Sequence, residues 1–289
     1  MIVDAHAHLD PRLLDLEPML AKMDAAGVDR VALIPTINEP LPETPKTLLA
    51  LTRHAMCHRP TRPLAHLVHR ALMTRGGDLR LGGQIVRIHQ QPDNEPVARA
   101  VAAHPDRFWG WIFLNPATDP QVLDTLERWR AVPGMIGIKL HPHWHDYRTE
   151  ILAPVLARAQ ELGLPVLIHL GFGKRGDIRA MATDFPRLHI ICAHAGFPLY
   201  GDLWRIATGH PRVHVDLSSP YIDEALARAA VRALGARRCI YGTDSPYGFE
   251  EPDHTYDYRH ILGWIARMPL REDERDAIVG GNLRALLES

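Results

Sequence analysis

Cysteine is scarce in this chain: three in 289 residues, Cys57, Cys192 and Cys239, an odd and widely spaced set. A disulfide framework is therefore not expected. Cys192 and Cys239 sit inside apolar runs and read as buried thiols, as a reducing, cytoplasmic setting allows. Net charge is also nearly absent, at −1, and no basic stripe stands out. Neither nucleic acid nor an anionic membrane surface has an electrostatic footprint to bind. No apolar run approaches the roughly 20 residues of a membrane span. The chain opens without a basic segment leading into an apolar one, so no secretory signal is expected. Short repeats, low-complexity tracts and linkers are lacking too, and residues 1–289 read as one domain.

What the chain has in excess is histidine, 18 residues of it. Short apolar runs alternate with amphipathic stretches from end to end. Strands are expected at Ile2–His6, Arg30–Ile34, Arg107–Leu114, Met135–Leu140, Pro165–His169, His189–Ala193, Val213–Asp216 and Cys239–Gly242. Helical patterns lie between them, at Leu14–Ala26, Pro120–Ala131, Ile151–Leu162 and Asp223–Leu234. Alternation of this kind predicts an α/β fold with a parallel sheet. Eight strands in a chain of this length fit a (β/α)8 barrel better than the alternative, an open doubly wound sheet. One stretch breaks the rhythm: residues 35–92, after the second strand, are far longer than a usual βα loop. They carry helical patches (Pro45–His54, Leu64–Met73) and glycine bends (Gly76–Gly77, Gly82–Gly83). Because βα loops build the active-site face of a barrel, this insertion is expected to be a cap.

Polar residues then appear where they are costly, at the C-terminal ends of apolar strands. The ends read VDAHAH, GIKLHPH, VLIHLG, IICAHAG and IYGTDSPYG, supplying His6, His8, Lys139, His169, His194 and Asp244. Any one such histidine is more often a satisfied core residue than a ligand. Six polar residues at five strand ends, all converging on one barrel mouth, are a joint pattern that accident does not produce. His6 and His8, two apart on a strand, aim at one side.

In this ordered set (DAHAH, GIKLHP, the strand-end His169 and His194, GTDSP, and the closing GGNLRALL of Gly280–Leu287) the chain resembles the amidohydrolase superfamily. Within it, the likeness is to the amidohydrolase 2 branch of metal-dependent TIM-barrel hydrolases and decarboxylases. The resemblance implies that His6, His8, His169 and Asp244 bind a divalent metal and that His194 binds a second metal or touches substrate. Imidazoles with one carboxylate suit Zn, with Mn the other candidate, and one ion per chain is favoured over two. An ion with an open position lowers the pKa of water from about 15.7 to near 7. Asp244 then serves as proton acceptor and His194 as a polarising group on the scissile carbonyl. Lys139 has two readings: a carboxylated bridge between two metals, as in some relatives, or a cation for a substrate carboxylate or oxyanion. The second is the expectation here.

Other features need weighing. HPHWH (His141, His143, His145) looks like a ligand cluster, but Pro142 ends the strand and frees the three from sharing a face. His141 is the member expected to face the mouth and bind substrate. Asp4 shares the phase of His6 and suits a residue that orients it, or an ordinary strand-end aspartate. Tyr247 and Phe249 lie in the loop SPYGFEEPDHTY after Asp244; Tyr247 is the candidate substrate contact, although a surface loop is the plainer reading. His54, His58, His66, His69, His89, Arg62, Arg70, Arg75 and Arg87 of the insertion are expected mostly on its outer face, with any inward arginine suited to an anionic small molecule. Trp109, Trp111 and Trp129 read as packing, and His104, His210 and His214 as surface. The leading expectation is a metal-dependent hydrolase of a small ester, lactone or amide. Its alternative is a metal-dependent non-oxidative decarboxylase of an aromatic or unsaturated acid, and a third is a barrel that binds without catalysing. A homodimer through the outer helices is expected.

Overall fold

The computed structural model describes residues 1–40, 42, 46–81, 83–249 and 257–288. Gly82 and residues 250–256 of the loop after Asp244 lie outside the described residues. Among the described residues, one eight-stranded sheet runs in chain order: β1 (Val3–Leu9), β2 (Arg30–Pro35), β3 (Phe108–Phe113), β4 (Met135–Leu140), β5 (Val166–Ile168), β6 (Ile190–Cys192), β7 (Val213–Asp216) and β8 (Cys239–Ile240). Every neighbouring pair is parallel. The barrel closes where β8 leaves regular pairing: Ala5 N donates to Tyr241 O at 3.0 Å, and His6 O accepts from Asp244 N at 2.7 Å. The TIM barrel expected from the alternation is the fold observed.

Each strand buries both faces, as parallel strands under helices must. One set of alternate residues (Ala32, Ile34, Trp111, Phe113, Leu167, Ile191, Ile240) fills the barrel interior. The other (Val31, Leu33, Ile112, Ile138, Ile168, Cys192, Val215) packs on the surrounding helices, against residues such as Met19, Met23, Val97 and Val155. Helix Glu224–Leu234 shows the local logic: Asp223 caps it by accepting from Leu226 N at 2.9 Å, one residue later than the pattern placed its start. Cys192 and Cys239 are buried free thiols. No helix among the described residues is long and apolar enough to cross a membrane.

The insertion contributes helices Lys46–Cys57 and Arg62–Leu72, and a hairpin of Leu79–Leu81 with Gln84–Val86. It lies over loops that follow four different strands. His69 packs on His143 after β4 with ring centroids 4.3 Å apart, and His66 stacks on Phe172 after β5 at 4.9 Å. Arg62 Nη1 meets Asp202 Oδ2 at 2.7 Å beyond β6, and Arg53 Nη1 donates to Pro220 O at 3.0 Å beyond β7. The helix Arg62–Leu72 thus turns its histidines towards the barrel and leaves Leu64, Leu67 and Val68 exposed.

Two surface expectations are corrected. His214 is buried, because it sits within β7, and its Nε2 meets His189 Nδ1, just before the neighbouring strand, at 3.0 Å. His69 is buried on the inner side of the insertion, while His54, His58, Arg70, Arg75 and Arg87 are exposed as expected.

Candidate metal centre at the barrel mouth

The first strand delivers its histidines by an irregularity. Asp4 pairs with Val31, but Ala7 pairs with Leu33, so β1 holds one extra residue between them. A bulge of this kind reverses the side-chain phase. Before it Val3 and Ala5 pack in the interior; after it Ala7 packs outward and His8 is the register partner of the interior residue Ile34. His6 and His8 therefore both face the mouth, as expected. Asp4 does not share their phase, which corrects the argument from its even number. It accepts from Thr243 Oγ1 at 2.6 Å, Thr243 N at 3.0 Å and His6 N at 3.0 Å, fastening the bulge to the segment after β8. Gly242 in that segment leaves no room for a side chain: a Cβ there would stand 3.0 Å from His6 Cβ and 3.2 Å from Ser218 Cβ.

Asp244 stands at the centre of the arrangement. Its Oδ1 lies 3.4 Å from His6 Nε2 and 3.6 Å from His8 Nε2, and its Oδ2 lies 3.9 Å from His194 Nε2. His194 Nε2 is also 3.1 Å from His169 Nδ1. One donor atom each from His6, His194 and Asp244 falls within a 4.8 Å span, all three residues buried. His8 and His169 stand at the edge of that group. Both Asp244 and His194 adopt left-handed backbone, with φ of 62° and 55°, a conformation that costs a non-glycine residue about 1–2 kcal/mol. Each is held by its amide, Asp244 N on His6 O and His194 N on Asp216 Oδ1 at 2.9 Å.

Asp216, at the end of β7, is the carboxylate that sequence reasoning missed. Its Oδ2 meets His6 Nδ1 at 2.8 Å, and its Oδ1 accepts from Ser218 N at 3.1 Å and from Ser218 Oγ. Ser218 Oγ stands 2.8 Å from His194 Nδ1. VDLSSP reads as an ordinary strand end, and only the closed barrel brings it across to β1.

Lys139 is fully buried, its Nζ 3.2 Å from His6 Nε2. Burial lowers its ammonium and raises the Asp244 carboxyl, each opposed by the attraction between them. Burial also holds His6, His169 and His194 well below the ordinary imidazole range and takes His8 down to about 3. His8 Nδ1 lies 3.2 Å from Pro35 O, leaving its Nε2 towards Asp244.

The remaining candidates fall around this group. His141 is buried against His169, ring centroids 4.2 Å apart. His143 is buried beside it at 4.9 Å from His169, although the proline argument had freed it. β4 does end at Leu140, yet all three histidines of HPHWH are buried. Tyr247 stands edge-on to His8 at 5.4 Å and donates to Asp10 Oδ2 at 3.3 Å. Phe249 turns away and stacks on His260 at 3.9 Å.

The donor set fits a divalent ion. Neutral imidazoles and a carboxylate are the ligands of zinc and its neighbours, and two ligands about 2.1 Å from one ion at a tetrahedral angle stand about 3.4 Å apart. The nitrogen-to-oxygen spacings here are 3.4, 3.6 and 3.9 Å. His169 Nε2 is buried with no hydrogen-bond partner, an atom that calls for an occupant beyond the protein.

Fold and site together define a (β/α)8 barrel with a histidine–carboxylate centre at the C-terminal ends of its strands. The chain belongs to the amidohydrolase family: the model described as Amidohydrolase (Amidohydro_2) matches residues 3–288. It is thereby a member of a family of enzymes that includes hydrolases and decarboxylases and depends on metal. No curated protein matches the chain. Among solved structures it is similar to an uncharacterized TIM-barrel protein from Bordetella bronchiseptica, with 18% identity and a TM-score of 0.65 over 99% of this chain and 98% of that one. It is similar to 5-carboxyvanillate decarboxylase from Sphingomonas paucimobilis, at 18% identity and a TM-score of 0.63 over 99% and 98%. It is also similar to 4-oxalomesaconate hydratase from Rhodopseudomonas palustris, at 15% identity and a TM-score of 0.63 over 100% and 96%. At these identities the likeness is one of fold.

Proposed function

We propose that the protein is a metal-dependent hydrolase of a small ester, lactone or amide that carries a carboxylate. The observation that carries this reading is the convergence of His6, His8 and His194 Nε2 on the buried Asp244 carboxylate. The residues that would hold the ion are His6, His194 and Asp244, with His8 and His169 completing its surroundings, and zinc is the ion best suited. The chemistry such an ion supplies when bound is Lewis acidity, which makes water acidic near neutral pH. Asp244, its carboxyl raised by burial, takes a proton from the attacking water and returns it to the leaving group. Lys139 supplies a cation for the carboxylate or oxyanion of the substrate. His141 and Tyr247 border the space beside His169 and His8, and residues 35–92 act as the cap that keeps bulk water out. The carboxylate substrate is suggested by the acids in the names of the similar proteins, 5-carboxyvanillate and 4-oxalomesaconate.

Elemental mass spectrometry on protein purified without chelator tests the metal. Near one equivalent per chain is the expected result; two would make Lys139 a carboxylated bridge, and none after reloading with zinc or manganese would sink the reading. The second reading, a non-oxidative decarboxylase, is favoured by an aromatic wall: Phe197 lies 5.3 Å from His169 and Tyr221 5.9 Å from His194, ring to ring. A panel of lactones and aromatic acids assayed both for acid release and for CO2 separates the two.

A further inference from the structure

The hydrogen bonds around Asp216 carry a consequence for the ring nitrogens on the far side of two histidines. A carboxylate oxygen accepts, so each N–H or O–H that faces it donates. Asp216 Oδ1 faces His194 N at 2.9 Å, Ser218 N at 3.1 Å and Ser218 Oγ; Oδ2 faces His6 Nδ1 at 2.8 Å. His6 must therefore carry its proton on Nδ1. The hydroxyl of Ser218 spends its single hydrogen on Asp216, so towards His194 Nδ1, 2.8 Å away, it can only accept. His194 must carry its proton on Nδ1 as well. An imidazole with its single N–H on Nδ1 keeps Nε2 as the acceptor, here facing Lys139 Nζ at 3.2 Å from His6 and His169 Nδ1 at 3.1 Å from His194. Those two Nε2 atoms also face Asp244.

We propose that Asp216 is a positioning residue that fixes the tautomers of His6 and His194 together, directly on the first and through Ser218 on the second. One carboxylate, itself completely buried, thereby sets two metal-binding lone pairs on residues 188 positions apart in the chain (194 − 6). The proposal rests on the metal reading of the site only in assigning a purpose to those lone pairs. Outer-shell carboxylates of this kind typically govern affinity by 10–100-fold.

Asp216→Asn tests it, because the amide keeps the shape and reverses one polarity. With its oxygen retained by the amides of His194 and Ser218, its NH2 faces His6 Nδ1 and forces the proton to Nε2. Two readouts are taken. The first is long-range imidazole 15N–1H NMR on metal-free protein, in which wild-type His6 and His194 are expected as Nδ1–H tautomers. Asp216→Asn is expected to convert His6 to the Nε2–H form, and Ser218→Ala to release His194 while leaving His6 unchanged. The second is cobalt or zinc affinity by titration, expected to fall about 10–100-fold in Asp216→Asn and less in Ser218→Ala. Unchanged tautomers in both variants would overturn the proposal, as would a wild-type spectrum with Nε2–H on His6. If Asp216→Asn does not fold, Ser218→Ala decides alone through the His194 signal. A tautomer switch in a protein that binds no metal would uphold the positioning role and defeat the metal reading, so the two fail separately.

Discussion

At the scale of the residue, the site is a problem of where protons and lone pairs sit. Asp244→Asn removes the proposed proton acceptor while keeping its size. Turnover is expected to fall about 10²–10⁴-fold at saturating metal, checked by steady-state kinetics on zinc-reloaded protein. His6→Ala and His8→Ala are expected to remain folded by circular dichroism and to lose most of their metal; full metal content in both would remove the first strand from the site. The strand-end histidines were legible in the sequence because a polar side chain closing a buried strand is costly and so carries information. Asp216 carried the same flag as a carboxylate closing the buried β7, but its meaning comes from the 2.8 Å approach of His6 across the closed barrel, which no sequence pattern shows. The bulge in β1 was invisible for a related reason. Counting residues by twos assumes an unbroken ladder, and one extra residue put Asp4 and His6 in opposite phases.

At the scale of the element, the eight strands were readable because each is a compact apolar run bounded by turn residues, and their edges moved by only a few positions. β1 runs on to Leu9 because Ala7, His8 and Leu9 stay paired with β2. Elements far from the site have their own fastenings. Asn282, at the start of the closing helix Asn282–Leu287, donates from Nδ2 to Ala236 O at 2.8 Å and to Cys239 O at 2.7 Å. Asn282→Ala leaves two buried carbonyls short of a donor, and a loss of about 1–3 kcal/mol is expected, read as a lower midpoint in urea with unchanged metal content. The insertion is tied differently. Asp202 accepts from Arg59 at 2.8 Å, Arg62 at 2.7 Å and Arg205 at 2.7 Å, and these guanidiniums hold its carboxyl well below the usual range. Asp202→Asn is expected to speed amide exchange across Lys46–Leu72 by about fivefold, the equivalent of roughly 1 kcal/mol at a partly exposed ion cluster. Exchange at the wild-type rate would show that the ring packing of His66 and His69 and the Arg53 bond to Pro220 O seat the insertion without Asp202. Which face of the insertion points inward was not legible in sequence, since its helix carries histidines on one side and leucines on the other, and pattern alone places the leucines inside.

At the scale of the whole molecule, the distinctive quantity is the number of histidines held neutral by burial. Burial lowers His6, His8, His69, His141, His143, His145, His169, His194 and His214 alike, the last to about 3. Above about pH 6.5 these rings are neutral whether the chain is folded or not, and they cost nothing. Below it the unfolded chain binds protons that the folded chain refuses, so stability is lost as pH falls, by about 1.4 kcal/mol per pH unit for each such ring. Buried acids work the other way. Asp4, raised to about 7, takes up a proton in the folded state that the unfolded chain does not bind until near pH 4, and Asp244 does the same. Two acids offset two rings and leave most of the histidines uncompensated. Against a total stability of about 5–15 kcal/mol, even three uncompensated rings exhaust the margin within two to three units. Metal-free protein is therefore expected to unfold with a midpoint between about pH 4 and 5.5, followed by tryptophan fluorescence. A bound ion, which also requires neutral imidazoles, adds to the dependence with the same sign. His214→Gln isolates the effect, because His214 lies on β7 away from the mouth and meets only His189 among the rings. Between pH 6.5 and 5 its stability should slope less steeply than wild type by about 1.4 kcal/mol per pH unit, at unchanged metal content. Parallel slopes would mean that His214 takes its proton inside the folded barrel, and that the cluster as a whole resists acid better than its burial implies.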